Sequence, residues 1–514
     1  MKIKQSIVFL LVIVFINLFV WFKTFSLDFY NDDFQILGFI QEKFASNPLS
    51  VFTQKDVSVY YYRPIPNFLI TLLIATFDFN PLPFRIFNFL LYVLLLTFLF
   101  LFTQKLFNSE KLAFASTLLF SLLPSHDIFL TWIASSGDLL ATLFILLAFF
   151  YLLFGNTKSS LFLSLLFFLL SILSKESTIL APFLAFFLAL IVKDRRERFL
   201  SFALFTFAIL VILFAYRNYF LEIDFLSSPN VANITPLQVV TNFFLYPFVL
   251  SIPTFAFSSE NTLAFILNFV LVLSTATLVF AYLFKFEKRE PNKITFGLLW
   301  YFWFVLPALP LFMRWYSLLP SLGIFFATTE LGRSVKWKFL LPLVIAISSI
   351  FFVTDYYSLS GWKKSNSVAQ KILDASNQIN SGGKKRILLW FFPQYYNNYP
   401  ILRSGIQQAI NYKRSEKFEE VLFPVSVILT PKTKIKLVDH TVDTYNFQIT
   451  KGTLFLNSRQ EKLEKSKISN DYYVLWIEKQ NNNETFSIKV NFIQKKQAYI
   501  NYYFDGKNFI PFGE

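Results

Sequence analysis

Cysteine is absent from the chain, histidine occurs only twice, and charged residues are scarce. Without cysteine the protein forms no disulfide and has neither a thiolate nucleophile nor a cysteine-ligated metal site. His126 and His440 are too few for a histidine-rich metal centre. Charged residues make up 15% of the 514 residues and hydrophobic residues 55%, whereas a typical soluble domain is about 25% charged. This composition indicates a protein that crosses a membrane several times.

The net charge is +15, but this excess does not predict nucleic-acid binding. The basic residues lie mostly in short loops between apolar runs, a distribution that membrane topology produces. The first apolar run, 6–22, is long enough to cross a bilayer and lacks a small-x-small cleavage site. We therefore expect it to remain as a helix and not to be removed as a signal peptide.

Long apolar runs predict eleven membrane-spanning helices. Their approximate bounds are 6–22, 84–103, 111–124, 134–154, 160–173, 177–192, 199–216, 262–284, 294–312, 316–331 and 338–357. With Lys2 and Lys4 taken as cytoplasmic, nearly every compact basic cluster falls on one side, which places the N-terminus inside and the C-terminus outside. The apolar segment 241–257 contains two prolines and is predicted to be re-entrant or interfacial, because a span there would break this pattern.

Asp32 and Asp33 stand side by side shortly after the first predicted helix. Two adjacent carboxylates at the edge of a membrane bundle are costly to hold and suited to proton chemistry, although a solvated loop is an alternative reading. The predicted topology gathers further ionisable residues on the same outer side. They are Arg63, Arg85, His126, Lys175, Glu176, Glu222, Asp224 and Arg314. A site at the outer face would use such a set.

Three regions follow from these patterns: a membrane domain over 1–357, a polar linker over 358–386 and a small β-rich outer domain over 387–514. Within the first outer loop, the pattern of residues 63–73 predicts a short amphipathic helix at the membrane interface. From about residue 358 the net charge is about +10, which would suit anionic surface groups. Strand-like runs lie at 386–390, 425–429, 453–456, 472–477, 486–490 and 497–504.

Six ordered motifs between about residues 28 and 330 resemble those of the GT-C glycosyltransferases, most closely the protein O-mannosyltransferases that carry tetratricopeptide repeats. The motifs are Asp32-Asp33-Phe34-Gln35-Ile36, Tyr62-Arg63-Pro64-Ile65-Pro66-Asn67, Phe84-Arg85-Ile86-Phe87-Asn88, the segment from Pro124-Ser125-His126-Asp127 to Trp132-Ile133-Ala134-Ser135-Ser136-Gly137-Asp138-Leu139-Leu140, Leu173-Ser174-Lys175-Glu176, and Arg314-Trp315-Tyr316-Ser317-Leu318-Leu319-Pro320-Ser321-Leu322-Gly323. No single motif is specific, whereas six in this order are. The chain departs from the family at Ser136, where arginine is usual, and in its tail, which has no tetratricopeptide repeat.

The resemblance implies a polyprenyl-phosphate sugar donor at the outer face of the cell membrane, a hydroxyl acceptor on protein or lipid, and inversion at the anomeric carbon. Mannose is the sugar that it suggests. An attacking hydroxyl must lose a proton, so a carboxylate base is needed, and Asp33 or Asp32 is the candidate. The leaving phosphate needs no general acid but does need positive charge, for which the candidates are Arg63, Arg85, Lys175 and Arg314.

The other candidates have both functional and structural readings. His126 would bond a sugar or acceptor hydroxyl, or it is a satisfied histidine at a helix end. Glu176 would contact the acceptor, or it pairs with Lys175. Glu222 and Asp224 would position the acceptor or a divalent cation, or they lie in a solvated loop. Each of the four cationic side chains, taken alone, is equally well explained by snorkelling, in which the charged end reaches the membrane interface. The sequence does not decide whether the reaction requires a divalent metal ion.

The sequence is also compatible with two other functions. A lipid or sugar transporter would explain the spans and the charges, but it predicts inverted repeats and charged residues near mid-membrane, neither of which the sequence shows. A non-catalytic scaffold that presents the β-rich domain would leave the acidic pair without a role.

Overall fold

The computed structural model describes residues 2–54, 61–222, 235–250, 292–310, 314–379, 383, 386–397, 399–412, 414, 417–440, 444–450, 453–456, 465–469, 473–479, 485–492 and 499–511. The chain divides into two compact units. The helical unit comprises Met1–Leu27 and Phe39–Ser360, and the C-terminal unit comprises Asp28–Gly38 and Gly361–Glu514. The sequence-based boundaries at 357 and 386 did not anticipate that a short N-terminal segment belongs to the C-terminal unit.

The described helices follow the apolar runs of the sequence. The α-helices are Lys2–Trp21, Asp33–Lys43, Pro64–Phe77, Pro81–Phe107, Glu110–Ser121, Asp127–Thr131, Ser136–Phe154, Lys158–Ile172, Ala181–Ile191, Arg196–Tyr219, Pro236–Val249, Asn292–Val305, Leu318–Gly332, Trp337–Asn377 and Ile406–Asn411. Short 3₁₀ helices lie at Phe22–Ser26, Pro48–Phe52, Pro124–His126, Ile133–Ser135, Glu176–Thr178, Lys193–Arg195, Leu306–Ala308 and Arg314–Ser317. Each predicted span that falls within the described residues coincides with helix.

Five of the described helices are long and apolar enough to cross a bilayer, or six if the bent pair Glu110–Ser121 and Pro124–Thr131 counts as one span. Residues 251–257 and 262–284 lie outside the described part of the chain, so the count of eleven spans and the re-entrant reading of 241–257 stay predictions. The prediction of a polytopic helical protein with a C-terminal β-rich region is confirmed.

Local chemistry explains where several helices begin and end. Asn80 precedes Pro81–Phe107, and its side-chain oxygen accepts from the Leu82 N–H at 3.1 Å, which satisfies one of the unpaired donors at a helix start. Proline at the first position of this helix and of Pro64–Phe77 fits because that N–H would have no intrahelical partner. Thr157 and Ser160 form a capping box at the start of Lys158–Ile172.

Two glycines allow a close helix crossing in the helical unit. A Cβ placed on Gly323 would lie 2.4 Å from both the Gly297 carbonyl oxygen and the Tyr301 nitrogen. Helices Asn292–Val305 and Leu318–Gly332 therefore touch backbone to backbone here, as small residues allow within membranes. The Trp300 Nε1–H donates to the Leu319 carbonyl at 2.9 Å beside this crossing. Aromatic packing continues at Phe102 and Phe326, whose ring centroids are 5.0 Å apart.

We expect Gly323→Val to destabilise the helical unit by about 1–3 kcal/mol or more, because the added carbons would overlap backbone atoms that cannot rotate away. Thermal unfolding of the purified protein in detergent measures the effect. Gly332→Ala is the matched control, since a Cβ there meets only side-chain atoms, at 3.8 Å and beyond. Equal melting temperatures for Gly323→Val and the wild type would contradict the crossing.

The C-terminal unit contains three small sheets. Its strands are β1 (Arg386–Trp390), β2 (Phe392–Tyr396), β3 (Tyr399–Pro400), β4 (Glu420–Leu422), β5 (Val425–Leu429), β6 (Lys434–His440), β7 (Thr444–Thr450), β8 (Thr453–Leu456), β9 (Lys465–Ser469), β10 (Tyr473–Lys479), β11 (Thr485–Phe492), β12 (Tyr499–Phe504) and β13 (Phe509–Pro511). The strand orders are β13-β12-β1-β4, β6-β7-β11-β10-β9 and β3-β2-β5-β8. Strand β1 runs parallel to β12 and β4, and β2 runs parallel to β5, whereas the other pairs are antiparallel.

Candidate functional site

Five of the ten candidate residues fall into two groups, one in each unit. Within the helical unit, five charged side chains form an ionic cluster: Arg63, Asp138, Lys175, Glu176 and Arg217. Arg63 immediately precedes helix Pro64–Phe77, Asp138 lies in the first turn of Ser136–Phe154, and Lys175 and Glu176 occupy the turn after Lys158–Ile172. Several helix ends therefore supply the cluster, and no single element builds it.

Two ion pairs organise the ionic cluster. The Arg63 guanidinium donates to Glu176 through both Nε, at 3.0 Å, and Nη2, with the two side chains about a quarter exposed. Lys175 Nζ lies 2.5 Å from Asp138 Oδ1, and both residues are buried. The sequence suggested that Glu176 would pair with Lys175. The structure corrects this, because the carboxylate of Glu176 instead forms the two-pronged geometry that suits arginine.

Aromatic rings flank the two cations of these pairs. Arg63 Cζ lies 4.2 Å from the centroid of the Tyr61 ring, and Lys175 Nζ lies 4.6 Å from that of Tyr316. A cation over an aromatic face gains electrostatic stabilisation. Tyr316 follows Arg314 in the same 3₁₀ helix, so the motif that begins at Arg314 contributes an aromatic ring to the ionic cluster. Sequence reasoning did not single out Tyr316 within this motif, nor Arg217, which lies outside every quoted motif.

The positive charges of Arg63 and Lys175 keep the Glu176 carboxyl ionised. Burial alone would raise the pKa of this carboxyl, but the charge and hydrogen bonds of Arg63, together with the charge of Lys175, outweigh burial and lower the pKa to about 2. Glu176 is therefore ionised throughout the ordinary pH range. Arg217 also feels the Glu176 charge and the repulsion of Arg63. The ionic cluster combines three cations and two anions, which leaves one excess positive charge.

The pH dependence of stability tests this assignment. A carboxyl whose folded pKa is lower than its unfolded value of 4.5 contributes stability above about pH 4.5 and loses it as the pH falls toward 2. The decrease in melting temperature that Glu176→Gln causes, relative to the wild type, should therefore be constant between pH 5 and pH 8. Glu197→Gln, at an exposed carboxylate, serves as the control. A difference that vanishes between pH 8 and pH 6 would contradict the pairing with Arg63.

The acidic motif belongs to the second group, which lies within the C-terminal unit. Asp33 is the first residue of helix Asp33–Lys43 and is fully buried, with Oδ2 accepting from the Tyr30 N–H at 3.4 Å. A helix N-terminus favours a negative charge at this position. Asp32 Oδ2 lies 3.2 Å from Nη2 of Arg403. The structure thus places the acidic pair at an ordered helix start, whereas the alternative reading was a solvated loop.

Arg403 is a residue that sequence reasoning missed, because nothing near it in the chain marks it as functional. Burial would lower the pKa of its guanidinium, but Asp32 and Tyr395 beside it outweigh burial and raise the pKa. Arg403 therefore stays charged and opposes the Asp32 carboxylate.

Two other candidates are embedded in the helical unit. Arg85 is 1% exposed and donates to the backbone carbonyls of Thr131, at 2.6 Å, and Leu27, at 3.4 Å. His126 is fully buried, and its Nδ1 lies 3.0 Å from the Tyr92 hydroxyl. These contacts favour structural roles, which for His126 was one of the two readings of the sequence.

The remaining candidates are only partly described. Glu222 is exposed and has a φ of 49°. Asp224 lies outside the described residues. Arg314 begins the 3₁₀ helix Arg314–Ser317, but the structure does not describe its side chain. Among the described residues, no group of three or more histidines and carboxylates is placed to hold a metal ion.

Comparison with known proteins bears on the helical unit. Residues 63–218 match the family model of dolichyl-phosphate-mannose-protein mannosyltransferases. All five residues of the ionic cluster lie within the matched range, whereas the acidic pair precedes it. The match confirms the predicted resemblance, although it covers less than half of the chain.

Solved structures also match the chain, whereas no curated protein sequence matches it significantly. One of them is the crystal structure of ArnT from Cupriavidus metallidurans bound to undecaprenyl phosphate. The identity is 12% and the TM-score 0.48, with 84% of this chain and 96% of that chain covered.

Proposed function

We propose that the protein is an integral-membrane glycosyltransferase that moves a sugar from a polyprenyl-phosphate donor to a hydroxyl acceptor. The observation that carries the proposal is the family match over 63–218, which contains the whole ionic cluster. Mannose is the sugar that the family description favours, and the acceptor is a protein or a lipid. The reaction takes place at the outer face of the cell membrane, with the N-terminus cytoplasmic, since this orientation satisfies the distribution of basic loops.

The acidic pair supplies the proton chemistry in this proposal. The acceptor oxygen forms a bond to the anomeric carbon, the bond from that carbon to the phosphate oxygen breaks, and the hydroxyl proton passes to a carboxylate. Attack on the side opposite the phosphate inverts the anomeric centre. Asp33 is the preferred base, and Asp32, which forms the ion pair with Arg403, is the alternative.

Cations of the ionic cluster bind the donor phosphate. The leaving group carries negative charge that grows as the bond breaks, so fixed positive charge lowers the barrier. Lys175, Arg63 and Arg217 supply this charge, and Glu176 orients the Arg63 guanidinium through its two hydrogen bonds. We retain Arg314 as a further phosphate ligand on the basis of its motif. The notion of a divalent cation at Glu222 and Asp224 stays open, and turnover measured with and without a chelator decides it.

The test is a transfer assay with purified protein in detergent or liposomes. A panel of radiolabelled polyprenyl-phosphate sugars is incubated with membrane extract as the source of acceptors, and label is measured in the protein and lipid fractions. Label from one donor in one fraction identifies the sugar and the acceptor class. If every donor stays intact while labelled donor crosses the bilayer of sealed liposomes, the transporter reading replaces this proposal.

A further inference from the structure

The acidic motif is held by residues more than 300 positions away in the sequence. The Asn31 N–H donates to the Ile401 carbonyl at 2.7 Å. Asn366 bonds both backbone groups of Asp28, accepting from its N–H at 3.3 Å and donating to its carbonyl at 3.2 Å. The Phe34 ring packs edge-on against Tyr412. The segment Asp28–Gly38 is therefore an integral part of the C-terminal unit.

The segment after β3 approaches the acidic motif especially closely. Gly405 adopts a φ of +66°, and a Cβ added there would lie 2.4 Å from the Gln35 nitrogen. Only glycine fits such an approach without strain. Two residues earlier, the guanidinium of Arg403 reaches Asp32; the Arg403 side chain is 30% exposed and the Asp32 side chain 14%. A backbone contact and an ion pair thus fix the same end of helix Asp33–Lys43.

Some polar atoms of the acidic motif are left without partners. Asp32 Oδ1 is buried and has no hydrogen-bond partner among the described residues, nor do the side-chain oxygen and nitrogen of the fully buried Asn31. Buried polar atoms are costly when unpaired. A bound sugar or acceptor would satisfy them with its hydroxyl groups, which both donate and accept. An ion pair that served stability alone gives no reason for these unpaired atoms.

We propose that Arg403 is a positioning residue for the reaction, which rests on the proposed function. Its guanidinium holds the Asp32 carboxylate through Oδ2, so that Oδ1 faces the substrate hydroxyls and the adjacent Asp33 takes the proton. The proposed base and its positioning residue then both belong to the C-terminal unit.

Kinetics of Arg403 variants test the proposal first. Arg403→Gln should lower kcat by about 10- to 100-fold, the effect of losing a charge-assisted hydrogen bond, and leave KM for the donor within about twofold. Arg403→Lys should recover part of kcat, because it restores the charge without the planar fork. Arg386→Gln is the matched control, since it removes the Arg386–Glu420 pair of the same unit, whose N–O distance is 3.6 Å. Equal kinetics for Arg403→Gln and Arg386→Gln would overturn the proposal.

A double-mutant cycle separates positioning from general stability. If Arg403 acts through Asp32, then Arg403→Gln added to Asp32→Asn should cost no further kcat. Additive losses would mean that Arg403 supports the fold independently of Asp32. An Asp32→Asn variant with full activity would also overturn the proposal, because Arg403 would then have nothing to position.

A disulfide cross-link tests the packing of Gln408 against Gly38 and requires no activity assay. A Cβ on Gly38 would lie 3.1 Å from Gln408 Cβ, so a small outward shift brings the two Cβ atoms to the disulfide spacing of about 3.5–4.5 Å. Because the chain has no cysteine, Gly38→Cys with Gln408→Cys should give one linked peptide by mass spectrometry under non-reducing conditions, and each single variant none. A wild type inactive on every donor removes the proposed function even when this link forms. Absence of the link, with Arg403→Gln kinetics like the wild type's, overturns the positioning role itself.

Discussion

Asp33→Asn is expected to abolish transfer while leaving the protein folded. Asparagine keeps the shape of the side chain and retains an oxygen that accepts from the Tyr30 N–H, which lies 3.4 Å from Asp33 Oδ2. It cannot take the proton of an attacking hydroxyl. The loss of a general base typically lowers the rate by about 10²- to 10⁴-fold. The measurement is turnover of a polyprenyl-phosphate sugar by purified protein with a matched melting temperature.

Asp374→Asn is the control for Asp33→Asn, because it makes the same chemical change at an exposed position in helix Trp337–Asn377. Its turnover should equal that of the wild type. If Asp33→Asn keeps most of the wild-type turnover, Asp33 is not the base. Asp32→Asn then becomes the decisive variant, and the role of Arg403 must be reconsidered with it.

The second large effect concerns the buried pair of Lys175 and Asp138. Lys175→Gln should destabilise the helical unit by about 3–5 kcal/mol, because it leaves the buried Asp138 carboxylate without its partner. The double variant Lys175→Gln with Asp138→Asn should recover most of the melting temperature, since two neutral amides replace two charges. Lys158→Gln, at an exposed lysine at the start of its helix, should change nothing.

Activity of the double variant separates the two roles of Lys175. If its ammonium binds the donor phosphate, the variant regains stability but remains deficient in donor binding and turnover. If Lys175 serves only to neutralise Asp138, turnover returns along with the melting temperature. Recovery of both properties would remove Lys175 from the phosphate site and leave that role to Arg63, Arg217 and Arg314.

The sequence predicted the helices well because their signal is local. Long apolar runs such as that in Pro81–Phe107 are sufficient to mark a helix in a membrane protein. The apolar strands β1, β5 and β8 were predicted almost to the residue for the same reason. Charged or polar strands such as β6 and β9 were missed, because their stability comes from neighbours in the sheet and not from a hydrophobic run.

The candidate site was predictable in kind but not in its pairings. Motif order pointed to Arg63, Lys175 and Glu176, yet the partner of Lys175 lies 37 residues earlier, at Asp138, and only the tertiary structure reveals it. The helix Asp33–Lys43 was not predicted, because Asn31-Asp32-Asp33 is typical of a loop when read alone. Contacts from Ile401 and Arg403 order it, and no local pattern encodes them.

The most direct measurement is the fate of the donor phosphate with purified protein. We predict that a polyprenyl-phosphate sugar yields one polyprenyl phosphate for each sugar transferred, with the anomeric configuration of the product inverted. Nucleotide sugars should not be consumed, and Asp33→Asn should release polyprenyl phosphate about 10²- to 10⁴-fold more slowly than the wild type. Transfer from a nucleotide sugar, or donor that crosses the bilayer without release of polyprenyl phosphate, would contradict the proposed function.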